Sequence, residues 1–181
     1  MIGPNGKPIE SQPPDVRLTC RVEQTDVTLT IHFDLVNSTK EPIYVYDGRG
    51  SPQKQVYDGG GAAAHVLVGI PPLPGYPVSW RWAPKATAVA PGASLQRMIS
   101  LGVPLREVDA YHPDNYEDFA AVTISRVVLR VDFIRKSRIS ADIKDLEKAE
   151  ALWGGEEAVT GTVSLPRPVE LQRRGDLPTR I

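Results

Sequence analysis

At 181 residues the chain is long enough for one self-sufficient domain, of a size that buries roughly 70% of its extended-chain surface without metal or disulfide support. Its 21 basic and 22 acidic side chains nearly cancel to a formal charge of -1, which excludes a global field drawing it to nucleic acid, anionic lipid or a charged substrate. Seventeen prolines beside 7% aromatic residues suit short strands and turns better than a helical bundle. The single cysteine, Cys20, excludes an internal disulfide.

Residues 1–14 carry Pro4, Pro8, Pro13 and Pro14 without hydrophobic periodicity and read as an extended arm. They lack the basic start and apolar core of a secretory leader, and no run approaches the ~20 apolar residues of a membrane span. The expectation is a cytoplasmic protein, or a periplasmic one from which a leader was removed. One domain is expected over residues 15–165, followed by a Pro- and Arg-bearing tail over 166–181.

The stretch Val16 to Leu35 holds two strands with almost unbroken alternation. Val16, Leu18, Cys20 and Val22 share one face against Arg17, Thr19, Arg21 and Glu23. After a turn at Gln24, Thr25 and Asp26, the residues Val27, Leu29, Ile31, Phe33 and Leu35 oppose Thr28, Thr30, His32 and Asp34. Period-two patterning is what a sheet with one buried and one wet face requires, and it turns Cys20 inward as an inert thiol.

Short strands are expected next at Ile43–Tyr46 and His65–Gly69, with a marginal one at Gln53–Tyr57. Pro71–Pro77 forms a stiff connection, Val78–Ala83 a strand with Trp80 and Trp82 on one face, and Pro91-Gly92 the centre of a type II turn. The strand leaving that turn, Leu95–Leu101, has Arg97 on its apolar face, which predicts an edge position or a paired charge. Over Val122–Ile134 the apolar phase changes near Ser125 and Arg126, the signature of a bulge or of a strand crossing between sheets. Residues 141–153 have helical spacing, with Ser140 to cap the start and Gly154 and Gly155 to end it. Val159–Leu165 is the last expected strand. The pattern predicts an all-β, immunoglobulin-like β-sandwich of seven or eight strands with one late α-helix; a small open β-barrel is the alternative.

The chemistry-bearing residues are sparse. His112, Asp114, Glu117 and Asp118 in the acidic stretch 109–118 could hold calcium or zinc, but they lack a regular ligand spacing. His32 and Asp34, two apart on one outward face, allow a carboxylate to orient an imidazole, with no nucleophile to serve. Gly59, Gly60 and Gly61 lack the lysine and helix start of a phosphate-binding loop. Arg126, Arg130, Arg135, Lys136 and Arg138 make a basic strand end, expected to pair with the acidic stretch before it rather than to form a nucleic-acid groove. Asn37-Ser38-Thr39 matches a glycosylation acceptor.

With no catalytic or cofactor signature, the chain reads as a non-enzymatic protein-binding module, an accessory subunit, adaptor or inhibitor, needing no cofactor. The partner is expected on loops: Pro71, Pro72, Leu73, Pro74 and Tyr76, which resemble a proline-rich ligand, together with Tyr111 and Tyr116 as aromatic anchors. The competing expectation is a metal-dependent binding or hydrolytic domain centred on His112, Asp114, Glu117 and Asp118. Carbohydrate recognition would require Trp80 and Trp82 to be exposed.

Overall fold

The computed structural model describes residues 13–47, 54–69, 86–107, 120–139 and 157–173. Among the described residues, ten strands run in chain order: β1 (Val16–Gln24), β2 (Thr28–Asn37), β3 (Ile43–Val45), β4 (Lys54–Asp58), β5 (Ala63–Val68), β6 (Thr87–Val89), β7 (Ser94–Gly102), β8 (Leu105–Arg106), β9 (Ala120–Arg135) and β10 (Glu157–Arg173). A 3-10 turn, Lys136–Arg138, follows β9. The helix expected over 141–153 and the strand expected over 78–83 lie outside the described residues.

The strands form two separate sheets that do not close into a barrel. The smaller has the order β1-β2-β7 and is wholly antiparallel. The larger runs β4-β5-β9-β10-β8, with β3 and β6 continuing beside the end of β9. It is mixed, because β5 pairs parallel to β9 and β8 parallel to β10. The inward faces meet in one hydrophobic cluster that includes Leu29, Ile31, Phe33 and Leu35 from the small sheet and Val66, Leu129, Val131 and Phe133 from the large one. That shared core is the physical reason for the alternation along β1 and β2.

Several expected details have identifiable causes here. The β1–β2 turn is closed by Thr25, whose N–H donates to Thr28 O at 2.8 Å and whose Oγ1 accepts from the Val27 and Thr28 amides. Val27 therefore sits in the turn, 70% exposed, and not on the buried face of β2. At Pro91-Gly92 the Ala93 amide donates to Ala90 O at 3.0 Å and Gly92 takes φ 75°, which an L-residue adopts only at a cost. The phase change in β9 is a bulge. The amides of Ser125 and Arg126 both point to the Ala62 carbonyl, at 2.9 and 3.3 Å, so two residues face one.

Other details depart from the expectation. β6 and β8 are too short to leave a periodic signature. β10 does not stop at Leu165 but continues to Arg173, burying Val169 and Leu171. Pro166 and Pro168 read as a stop because they cannot donate to a ladder. They fall between Ser164 and Val169, where the register with β9 shifts, so no ladder bond is demanded of them. Asn37 is fully buried, its Nδ2 donating to Glu41 O and Val89 O and its Oδ1 accepting from the Thr39 amide. A glycan there would require this amide to leave the core, so the acceptor motif is a structural turn.

Ionic clasps join the two sheets. Arg97 of β7 is both at a sheet edge and paired: it points inward and donates from Nε to Asp47 Oδ2 at 2.8 Å, while Thr87 Oγ1 also reaches that carboxylate. Arg135 holds Asp15 and Glu157, and Arg167 reaches Asp26 at 2.9 Å. Arg135, at the basic end of β9, thus finds its acids at the start of β1 and of β10, while Arg130 pairs with Asp132 on its own strand. The expected pairing with the 109–118 stretch involves residues outside those described.

Candidate functional site

The outer face of the small sheet carries a groove of about 750 Å³, lined among others by Thr19, Arg21, His32, Asp34, Gln96 and Met98. Register alone assembles it. Thr19 of β1 lies opposite Asp34 of β2, which lies opposite Gln96 of β7; the next rung is Arg21, His32 and Met98. Each residue is the outward member of an alternating strand, so the core on one face obliges these six to stand together on the other.

The polar groups in this groove are unevenly satisfied. Arg21 Nη1 donates to Glu23 Oε1, and His32 Nε2 lies 3.3 Å from the same oxygen, close enough for an ion pair but too poorly aligned for a hydrogen bond. Arg21 chiefly, and then His32, hold the Glu23 carboxyl below its usual range. The acid beside His32 is therefore Glu23, reached diagonally across the strands, and not Asp34 two positions along its own strand. Asp34 Oδ1 is buried without a hydrogen-bond partner among the described residues. Thr19 Oγ1, on the adjacent strand β1, points to the backbone carbonyl of Asp34 at 3.5 Å. Most buried polar groups in folded proteins are paired, so an orphaned carboxylate oxygen in a groove marks a place where a donor belongs. Met98 is 66% exposed, an unbranched, polarisable side chain presented to solvent in the same rung as His32.

Beneath this face, Cys20 is half-buried rather than fully enclosed, and burial pushes its thiol up to about 11. The reason is close approach of the layers. β1 packs over β10 at Gly161, where a Cβ would lie 2.6 Å from Cys20 Sγ. His65, on β5, has its pKa lowered by burial and then by Arg126, with Asp58 opposing, and its ring packs over Gly59. It serves that hairpin and stands apart from the groove.

The expected contact residues Pro71, Pro72, Leu73, Pro74, Tyr76, Tyr111 and Tyr116 lie outside the described residues, as do His112, Asp114, Glu117 and Asp118 of the metal expectation and the Trp80–Trp82 pair. Among the described residues no group of three His, Cys, Asp or Glu side chains is placed to hold a metal ion, and no helix is long and apolar enough to cross a membrane. Of the groove residues, His32 and Asp34 were legible as an outward pair. Gln96 and Met98 were legible only as the polar phase of β7, with nothing to show which strand β7 adjoins. In comparisons with known proteins, no family model, no curated protein and no solved structure matches this chain.

Proposed function

We propose that the chain is a non-enzymatic, immunoglobulin-like β-sandwich that binds another protein, and that the outer face of β1, β2 and β7 is its contact surface. The strand order supports the architecture alone: β1-β2-β7 opposed to β3-β9-β10 corresponds to the A-B-E and C-F-G strands of an immunoglobulin-like sandwich. The observation that carries the second part is the groove itself, in which a buried carboxylate oxygen with no hydrogen-bond partner among the described residues and a 66% exposed methionine lie one rung apart. Its volume of about 750 Å³ is within the range of ligand sites, and methionine and arginine, both present in its lining, are enriched at protein interfaces. Segments 71–76 and 111–116 belong to this reading as additional contacts.

The test is capture of a partner on the full chain, followed by reconstitution with the purified partner. Met98→Glu should weaken the reconstituted complex by about tenfold or more, whereas Val27→Glu, at the equally exposed hairpin turn, should leave it unchanged. A partner that binds both variants as it binds the parent chain removes this face from the reading. Replacement of residues 71–76 by glycine and serine asks the same question of that segment.

A further inference from the structure

We infer that the occupant of this groove presents a basic side chain, arginine or lysine, to Asp34; the inference rests on the protein-binding reading above and names the chemistry of the partner. The charges on this face are otherwise spoken for. Arg21 is engaged by Glu23, and Glu23 is in turn approached by His32. Arg97, which also lines the groove, is held by the Asp47 carboxylate and the Gln96 carbonyl. Thr19 Oγ1 meets the backbone carbonyl of Asp34. Among the described residues, the acidic oxygen left without a hydrogen-bond partner on this face is Asp34 Oδ1, buried on the middle strand of three.

An N–H donor carrying positive charge satisfies that oxygen with a charge-assisted hydrogen bond, about twice as strong as a neutral one. An anionic group would meet both Asp34 and Glu23 and be repelled. A metal ion would need further ligands, and no such set surrounds Asp34 among the described residues. Arg and Lys also bring an apolar stem, for which Met98, in the adjacent rung of β7, is the complementary surface. The Gln96 amide, directly opposite Asp34, is placed to accept a second N–H of a guanidinium.

The test uses the full chain and N-acetylarginine methylamide as probe, followed by backbone-amide NMR. Saturable shifts are expected at Thr19, Arg21, His32, Asp34 and Gln96, with none from N-acetylglutamate methylamide, and Asp34→Asn, which preserves shape and removes the charge, should weaken them about tenfold or more. No shift at these residues, an equal response to the glutamate probe, or unchanged binding by Asp34→Asn overturns the inference. The same variant is then applied to the reconstituted partner complex. If Met98→Glu disrupts that complex but Asp34→Asn does not, the protein-binding reading stands and the basic side chain is refuted. If Asp34→Asn abolishes the probe response while neither variant affects the partner, the cation site stands and the protein contact on this face is refuted.

Discussion

Arg135 reaches back 120 residues to hold both carboxylate oxygens of Asp15, at 2.7 and 2.8 Å. The same guanidinium donates to Glu157 at 2.7 Å, so one side chain, only 17% exposed, joins the entry to β1, the end of β9 and the start of β10. The planar fork of arginine is suited to two carboxylates at once, which a lysine could not grip in the same way. Hydrogen bonds to Asp15 and Glu157 raise the pKa of Arg135, and its bonds in turn lower that of Asp15.

Asp15→Asn should therefore destabilise the fold by about 1 kcal/mol near neutral pH, a figure kept small because the pair is partly open to solvent. The folded-state pKa of Asp15 lies below its ordinary value of 3.8. Its contribution is thus complete above that value and disappears as pH falls through the lower folded-state pKa, because the unfolded chain takes up the proton first. Urea unfolding at pH 7 and again well below pH 3.8 checks this: the gap between parent and variant should close in acid.

Gly161→Ala should cost about 1–3 kcal/mol, since the new methyl would lie 2.6 Å from Cys20 Sγ and 3.4 Å from Leu18 Cδ2. Cys20→Ala alone leaves a small void. Together the two should be less harmful than the sum of their separate costs, by about 1 kcal/mol, because each relieves the fault the other creates. Additive costs in a double-mutant cycle would show that β1 and β10 do not meet at this point.

The thiol pKa of about 11 makes Cys20 a poor nucleophile. Alkylation by iodoacetamide at pH 8 should be about a hundredfold slower in the folded chain than in urea, since only the thiolate reacts and its fraction falls tenfold per unit of pKa. A folded-state rate equal to the unfolded one would contradict the packing against Gly161.

Arg97→Met should cost about 2–4 kcal/mol, because Asp47, whose side chain is 1% exposed, would keep only Thr87 as a partner among the described residues. Asp47→Asn in the same chain should recover part of that loss. Arg97 is also an inward-pointing charge on an edge strand, a feature that discourages edge-to-edge association. Light scattering should accordingly detect more self-association of Arg97→Met than of Arg97→Lys, which keeps an inward charge. Equal masses at equal concentration would remove this role from Arg97.

Asp34→Asn should leave the isolated chain as stable or raise its stability by up to about 1 kcal/mol, as expected where a polar group is retained for binding and not for folding. Thermal unfolding measures it. A clear loss of stability would mean that Asp34 has a structural partner and that its place in the groove is incidental.

Local rules made much of this fold readable in advance. The faces of β1 and β2, the Pro91-Gly92 turn, the slip of phase at Ser125 and Arg126, and the need of Arg97 for a partner all follow from period, φ preference and the expense of an unpaired buried charge. The continuation of β10 past Pro166 was hidden, because a proline reads as a ladder break unless the register shift that tolerates it is known. Asn37 looked like a surface acceptor for the same kind of reason, since a three-residue motif carries no information about the carbonyls 4 and 52 positions away that fill its amide.

The candidate site divides along the same line. The alternation of β2 by itself determined that His32 and Asp34 face outward together, because a two-residue period leaves no other choice once Ile31, Phe33 and Leu35 are buried. Only the tertiary structure decided that Thr19, Arg21, Gln96 and Met98 complete the groove, that Glu23 and not Asp34 approaches His32, and that Asp34 Oδ1 is left without a donor among the described residues. Those outcomes depend on which strands become neighbours and in what register, and that is set by burial of the whole inner face against the second sheet, a global balance that no local pattern records.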